Sequence, residues 1–238
     1  MIGRMSGRVV VITGARGGIG QAIGERFSQD GDTVVGLDVL DGFDVRDAEG
    51  CRAEAARIES EVGPVAVLCN NAGISAVGDV VASTPEEWER VFAVNVFGVA
   101  NMSRAFLPAM RVRQRGAVVN TCSVVASVGL VERAVYGASK GAILALTKAM
   151  AADEIAYGIR VNCVSPGTVW SPWVQGLARS SADPDGTVEA LRRRQPLGRM
   201  VECDEVAAAV HYLAADSTFT TGADFLLDGG ITGVRIVG

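Results

Sequence analysis

The chain has 238 residues, of which 49% are hydrophobic, and a net charge of -5 at pH 7. This length and apolar content predict a folded protein with a large core and argue against disorder. The acidic balance argues against a nucleic-acid partner, because the one dense basic run, at 192–194, is too short to neutralise a row of phosphates and reads equally well as a solvated helix face.

No apolar run approaches the roughly 20 residues that span a bilayer, and the N-terminus reaches glycine too early for a signal peptide. A cytoplasmic protein is therefore expected. The single histidine, His211, makes a poor metal site, so no metal is expected. The cysteines form no CxxC pair and are expected to be reduced core side chains; they are Cys51, Cys69, Cys122, Cys163 and Cys203.

Short runs rich in Val, Ile and Leu predict six strands, in the order "RVVVITG", "TVVGLD", "VAVLCNNAG", "GAVVNTCS", "IRVNCVSPG" and "DFLLDGG". Helical patterns fill the gaps, beginning with "GIGQAIGERFSQDG" and ending with "CDEVAAAVHYLAAD". Apolar strands separated by helices predict an α/β fold with a doubly wound parallel sheet of the Rossmann type. No linker divides residues 1–238, so a single domain is expected, with nucleotide chemistry at the carboxyl ends of its strands.

The first strand-to-helix turn, "VITGARGGIG", places Gly14, Gly18 and Gly20 in a G-x-x-x-G-x-G pattern. Glycine lets a pyrophosphate approach the helix N-terminus, where free N–H groups attract anions. The spacing differs from the general G-x-G-x-x-G fingerprint, and dense glycines also make simple tight turns. The strand–turn–helix context favours a dinucleotide.

Asp38 ends the second predicted strand, eighteen residues after Gly20. A carboxylate at this place accepts hydrogen bonds from the adenosine ribose hydroxyls of NAD and repels the 2′-phosphate of NADP. Arg16 in the glycine turn is the competing signal, because a guanidinium there could reach that phosphate. NAD is the expected cofactor, and NADP is the less favoured one.

In "ERAVYGASK", Tyr136 and Lys140 lie four residues apart and share one helical face. Alone, this pair is an ordinary helix turn. Together with "TGARGGIG", "NNAG", Asn95 in "AVNVFG", Ser123 and "PGTVWS", it gives the chain a resemblance to the short-chain dehydrogenase/reductase family from Arg8 to about Thr232.

The resemblance implies a catalytic tetrad of Asn95, Ser123, Tyr136 and Lys140. Hydride transfer to or from a carbinol carbon requires a proton to move at its oxygen, and Tyr136 would carry it. The Lys140 ammonium would favour the phenolate and hold the nicotinamide ribose. Ser123 would orient the substrate oxygen, and Asn95 would hold a water that connects Lys140 to solvent.

The resemblance also implies a set of cofactor-binding residues. The set is Gly14, Arg16, Gly18, Ile19, Gly20, Asp38, Asp44, Val45, Asn71, Ala72, Gly73, Tyr136, Lys140, Pro166, Gly167, Val169 and Ser171. NADP-preferring members of the family usually carry a basic residue where this chain has Gly17, which strengthens the expectation of NAD. Trp170 stands where small or acidic residues are more common, and its indole is expected to narrow the substrate mouth.

Residues 171–198 have the Pro, Gly, Ser and Asp content of a flexible lid. Arg133, three residues before Tyr136, is expected to face the same cleft, and Arg194 would arrive with the lid. This pairing resembles family members that act on small hydroxy or oxo acids, since two guanidiniums can bind a carboxylate. The alternative is that both arginines are surface residues.

Three functions remain open at this point. The leading one is an NAD-dependent oxidoreductase that interconverts a secondary alcohol and a ketone. The second is an NADPH-dependent 3-oxoacyl-carrier-protein reductase, against which Asp38 counts. The third is a nucleotide-binding redox sensor or scaffold without turnover, against which the intact tetrad counts. A homo-oligomer, expected to be a tetramer, follows from helices that are apolar beyond the stripe that covers a sheet and from an apolar C-terminal tail.

Overall fold

The computed structural model describes residues 7–235. Within them a six-stranded parallel sheet forms, in the order β2-β1-β3-β4-β5-β6. The strands fall where the apolar runs predict them: β1 Val9–Thr13, β2 Thr33–Leu37, β3 Val65–Asn70, β4 Gly116–Thr121, β5 Ile159–Pro166 and β6 Asp224–Leu227. The predicted doubly wound α/β class is confirmed.

Helices connect the strands and cover both faces of the sheet. In chain order they are α1 Gly18–Gln29, α2 Ala48–Glu61, α3 Pro85–Phe92, α4 Gly98–Val112, α5 Ala134–Glu154, α6 Pro172–Arg179, α7 Pro184–Arg193 and α8 Cys203–His211. Short 3-10 turns follow β2, β4 and α5, at Val39–Asp41, Val124–Ala126 and Ile155–Tyr157. Two π-helical turns, Ala93–Phe97 and Tyr212–Asp216, extend α3 and α8.

The strands alternate their side chains between two apolar cores. Val9 and Val11 of β1 join one core with Phe106 of α4, whereas Val10 and Ile12 join the other with Phe27 of α1. These side chains are all buried, and full burial of one side chain of this size stabilises a fold by about 1.5–3 kcal/mol. The cysteines behave as expected: Cys51, Cys69, Cys122 and Cys163 are buried free thiols, and Cys203 is partly buried.

The strand order reverses at β1, which has β2 on one side and β3 on the other. In open α/β sheets, ligands bind in the crevice outside the carboxyl ends of the strands at such a reversal. The turn that begins at Gly14 and the segment that begins at Asn71 leave β1 and β3 at this edge. The fold therefore brings the two glycine-containing motifs of the sequence together.

The helical run Pro85–Val112 qualifies the expectation that no apolar run approaches the length that spans a bilayer. Among the described residues it is long and apolar enough to cross a membrane by length and composition, with a mean hydropathy of 1.2 in its most apolar window. Met102, Phe106 and Met110 from this run are buried in the core. Its apolar side thus covers the sheet.

The segment predicted as a lid contains the short helices α6 and α7. Ser171 and Asp183 cap these helices through their side chains, and each helix has a proline in its first turn. The Pro, Ser and Asp content of the sequence thus marks helix starts as well as loops. Mobility of this segment stays a prediction.

Candidate active site

Helix α1 begins at the crevice with an open N-terminus. Its N-cap is Gly17, which offers no side-chain hydrogen bond, and its first turn contains no acidic residue. By contrast, Asp47 and Thr84 cap α2 and α3 through their side chains. Free N–H groups at the positive end of a helix dipole fit an anionic group such as a pyrophosphate.

The glycines of the first turn make contacts that a larger residue would prevent. Gly14 has φ of +66°, and a Cβ there would lie 2.9 Å from Ala72 Cα. A Cβ on Gly20 would overlap the Gly14 carbonyl, and one on Gly18 would lie 2.5 Å from Pro172 Cδ. The turn is therefore packed between the segment after β3 and the start of the lid. Ile19 is partly buried against the adjoining core.

Two carboxylates surround Arg16 at the end of β2. Asp38 is only 7% exposed and accepts the main-chain N–H groups of Arg16 at 2.9 Å and Leu40 at 3.0 Å. The Arg16 guanidinium is bound to Asp41, with Nε–Oδ2 at 2.8 Å and Nη2–Oδ1 at 2.6 Å. Asp41 is not among the residues that the sequence predicts for the site, because no family motif includes it.

Asn71 ties three segments of the crevice together. Its Nδ2 donates to the carbonyls of Thr13 and Gly14, and its Oδ1 accepts from the Thr121 hydroxyl at 3.2 Å. Thr13 Oγ1 accepts the N–H groups of Asn71 and Ala72 at 3.1 and 3.0 Å. The Asn71 side chain thus joins the ends of β1 and β4 to the segment after β3, and cofactor contacts of Asn71 and Ala72 stay a prediction.

Asp44 and Val45 precede α2. Asp44 is paired with Arg46, whose hydrogen bond holds the pKa of that carboxyl below its ordinary value. Val45 is buried, and its carbonyl accepts Asn101 Nδ2 of α4 at 3.0 Å. A Cβ on Gly98 would lie 2.6 Å from Val45 Cγ2, so this segment is packed tightly against the start of α4.

Helix α5 carries Tyr136 and Lys140 on one face. Lys140 Nζ lies 5.8 Å from the centre of the Tyr136 ring and donates to the Thr121 carbonyl at 2.7 Å. The Lys140 side chain is therefore held between the end of β4 and the tyrosine ring, and the residue is only 5% exposed. A Cβ added to Gly73 would lie 3.5 Å from Lys140 Nζ, so the end of the "NNAG" motif lies beside the Lys140 ammonium.

Ser123 follows β4 by two residues and is 8% exposed. Its Oγ accepts the Val125 N–H at 3.4 Å and thereby caps the 3-10 turn after β4. A hydroxyl that accepts one bond keeps its own O–H for donation. Ser123 can thus cap the turn and still donate to a substrate oxygen.

Asn95 is buried in the π-helical turn between α3 and α4. Its amide is already engaged: Oδ1 accepts the Ile74 N–H at 2.8 Å, and Nδ2 donates to the Ile74 carbonyl at 2.9 Å and to Ser139 Oγ at 3.0 Å. Ser139 in turn donates to the Tyr136 carbonyl at 2.8 Å. The sequence predicts no role for Ser139, so this link lies outside the predicted tetrad.

Four residues are predicted to meet the nicotinamide: Pro166, which ends β5, and Gly167, Val169 and Ser171 in the segment that follows. Gln195 fixes it: Oε1 accepts the Thr168 N–H at 2.7 Å, and Nε2 donates to the Leu191 carbonyl of α7 at 2.6 Å. Val169 pairs with Val201 in a short parallel bridge. Hydrogen bonds therefore hold both ends of the lid beside this segment. No sequence motif predicts this role of Gln195.

The three predicted substrate residues lie in different surroundings. Trp170 is partly buried and packs with Val174 and Leu191 in the core of the lid. Arg133 is partly buried before α5, and Arg194 is exposed after α7. Burial first, and then the charge of Arg194, lower the pKa of the Arg133 guanidinium. Arg194 is thus near enough for its charge to act on Arg133, and Arg133 lines a surface pocket of about 360 Å³.

A family model described as Enoyl-(Acyl carrier protein) reductase matches residues 40–232. The L-fucose dehydrogenase of Mus musculus is 36% identical over 95% of this chain and 89% of its own length. This chain belongs to the short-chain dehydrogenase/reductase family. The family and its class of reaction, predicted from the motifs, are confirmed.

Solved structures of other short-chain dehydrogenases share the whole fold. The ligand-free aldohexose dehydrogenase of Thermoplasma acidophilum has a TM-score of 0.92 at 33% identity, covering 98% of this chain and 97% of its own. A gluconate 5-dehydrogenase of Burkholderia cenocepacia, in complex with NADP and tartrate, has a TM-score of 0.89 at 30% identity, covering 98% of each chain. As a short-chain dehydrogenase/reductase, the protein is an NAD(P)-dependent oxidoreductase for a small secondary alcohol or ketone.

Proposed function

We propose that this short-chain dehydrogenase/reductase uses NAD to oxidise a small secondary alcohol that carries a carboxylate. The observation that supports this most directly is the start of α5. There Arg133, Tyr136 and Lys140 follow at intervals of three and four residues, beside the end of β4 and the segment that follows β3. A proton carrier and a cation for the substrate are thus next to each other.

The bound nicotinamide supplies the hydride acceptor. Tyr136 takes the proton of the substrate hydroxyl, a general-base contribution of about 10²–10⁴ in rate. The Lys140 ammonium, fixed by the Thr121 carbonyl, favours the phenolate electrostatically. Ser123 donates its hydroxyl to the substrate oxygen and holds it toward Tyr136.

Asn95 and Ser139 hold the main chain of Tyr136 in place through hydrogen bonds. Their hydrogen bonds connect Ile74, after β3, to the main chain of Tyr136. Because the Asn95 amide is occupied by these bonds, the water that was predicted to link Lys140 to solvent would be held by a main-chain group of the π-helical turn. π-helical turns are frequent at functional sites, which agrees with such a role.

The choice of NAD rests on Asp38 and Gly17. Each Asp38 oxygen accepts one main-chain N–H, which fixes the carboxylate and leaves lone pairs for the ribose hydroxyls. A 2′-phosphate at the same place would bring charge next to charge. Gly17 supplies no cation to compensate.

The proposal that the substrate carries a carboxylate is based on Arg133 and Arg194. Within residues 7–235, neither arginine forms a salt bridge with an acidic side chain. Partly burying an arginine near a second one is unfavourable unless an anion joins them, because like charges repel and burial removes water. A neutral aldose is the second candidate, since two of the similar proteins are named for L-fucose and aldohexoses.

A homo-oligomer, which we propose to be a cytoplasmic tetramer, would cover two apolar surfaces. Phe97 at the start of α4 is 59% exposed. On edge strand β6, Phe225 and Leu226 are 38% and 44% exposed and line an open groove of about 660 Å³ against residues 195–201. The tail that was predicted to join the interface ends at residues 236–238, which lie outside the described residues.

The experiment pairs each short 3-hydroxy acid with the neutral 2-alkanol of the same chain length and follows NADH formation. Preference for the acids with NAD supports the proposal. Preference for neutral alcohols or aldoses would reject the proposal of a substrate carboxylate, whereas the assignment as a dehydrogenase would stand. Activity only with NADPH and 3-oxoacyl thioesters would replace the proposal with a reductase.

A further inference from the structure

We propose that Asp41 is a cofactor-specificity residue, which acts by holding the Arg16 guanidinium and so withholding it from the 2′-phosphate of NADP. This inference rests on the proposed NAD site at Asp38. It concerns an acidic residue that lies three positions beyond Asp38 and outside every motif of the sequence.

The position of Arg16 makes it the cation that a 2′-phosphate would meet. Its main-chain N–H donates to Asp38 Oδ2 at 2.9 Å. The backbone of Arg16 is therefore in direct contact with the carboxylate that is proposed to bind the ribose. Its long side chain is 59% exposed. A guanidinium in that place can form the paired hydrogen bonds that suit a phosphate.

Asp41 occupies that same donor face of the guanidinium. Nε and Nη2 of Arg16 both donate to the Asp41 carboxylate, at 2.8 and 2.6 Å. A 2′-phosphate that uses this pair of donors would compete with Asp41 for the guanidinium. The hydrogen bond from Arg16 also holds the pKa of Asp41 below its ordinary value.

The short turn after β2 fixes Asp41 for this contact. Asp38 Oδ1 accepts the Leu40 N–H at 3.0 Å and caps the 3-10 turn Val39–Asp41, and the Asp41 N–H donates to the Asp38 carbonyl at 3.0 Å. Asp38 therefore positions the second carboxylate as well as itself. The end of β2 presents two negative charges against one positive charge, which is unfavourable for a further phosphate.

The test measures dissociation constants of NADP and NAD by fluorescence titration at one fixed ionic strength. The other substitutions are made in an Asp38→Asn background, because NADP should bind this variant strongly enough to be measured. In that background, Asp41→Asn should tighten NADP about two- to fivefold, the size expected for an exposed ion pair, and leave NAD unchanged. Asp153→Asn, an exposed charge removed from the far end of α5, is the matched control and should change neither.

Arg16→Gln decides the mechanism. If Asp41 acts by holding Arg16, the gain from Asp41→Asn should disappear when Arg16 is replaced. A gain that survives in Arg16→Gln, or one that Asp153→Asn reproduces, would overturn the inference, because charge removal alone would explain it. An unchanged NADP constant in Asp41→Asn would overturn it as well.

The two levels of the proposal fail in different ways. If Asp38→Asn alone does not improve NADP relative to NAD, the proposed NAD site is wrong. If Asp38→Asn shifts the preference but Asp41→Asn adds nothing, the NAD site stands and only the role of Asp41 is rejected.

Discussion

Arg194 at the end of α7 lies near enough to Arg133 at the start of α5 for its positive charge to act on the Arg133 guanidinium. Burial, and then the charge of Arg194, lower the pKa of Arg133. Arg133 Nη1 donates at 2.7 Å to the carbonyl of Glu132, a residue with φ of +56°. A non-glycine residue in the left-handed region is uncommon, and such backbone often occurs beside functional sites.

Replacement of Arg133 by Met should weaken the binding of an acidic substrate but not that of a neutral one. Met keeps much of the side-chain length and removes the charged fork, so the loss should be about 1.5–3 kcal/mol of binding for a charged hydrogen bond. A neutral alcohol of the same size should bind as before. Comparison of KM for both substrates checks this, with Arg52→Met on the exposed face of α2 as the control. Equal losses for acid and alcohol would assign Arg133 to the surface.

The unmodified protein should bind NAD far more tightly than NADP. Asp38 is buried and fixed by two main-chain N–H groups, so it cannot turn away from a 2′-phosphate. Titration of both cofactors by fluorescence measures the difference. Equal or tighter binding of NADP would reject the cofactor assignment.

His211 should make the fold sensitive to mild acid. Its Nε2 lies 2.8 Å from Asp30 Oδ2 without the alignment of a hydrogen bond, and Asp216 lies 3.4 Å from Nδ1. Burial first, and then Arg26, lower the pKa of His211 below 6.5, with a smaller contribution from Arg8, whereas Asp216 and Asp30 oppose this. The unfolded chain therefore binds the proton more readily, and stability falls as pH drops through about 6.5.

His211→Gln should remove part of that slope. The measurement is Tm against pH, from about 7.5 down to about 5.5, for both proteins. The variant will lose packing against Phe27, whose ring centre lies 4.9 Å from that of the imidazole, so the comparison concerns slopes rather than absolute values. Parallel curves would show that another group causes the acid sensitivity.

Oligomerisation should depend on the edge of the sheet. Phe225→Glu places a charge in the groove beside β6 and should reduce the mass that light scattering reports, if a second copy covers this groove. Val81→Glu is the control, because Val81 is 90% exposed in the loop before α3. A monomeric parent protein at micromolar concentration would contradict the proposed assembly.

The sequence predicts the strands and motifs well because local chemistry determines both. The alternating cores of β1 and the open turn at Gly14 follow from residue type and spacing. The contacts that sequence reasoning misses are long-range and motif-free, such as Gln195 on Thr168 and Asp41 on Arg16. The sequence does not predict helix α6, because the proline content of residues 171–198 indicates a loop, although proline also suits the first turn of a helix.

Tyr136→Phe tests the central claim most directly, since it removes one hydroxyl and leaves the ring beside Lys140. Turnover with NAD and the best substrate should fall by about 10²–10⁴, while NAD binding in a fluorescence titration stays the same. Ser60→Ala, a hydroxyl loss on the exposed side of α2, should change neither quantity. Turnover of Tyr136→Phe within a few-fold of the parent protein would contradict the account, because Tyr136 would then not be the group that moves the proton.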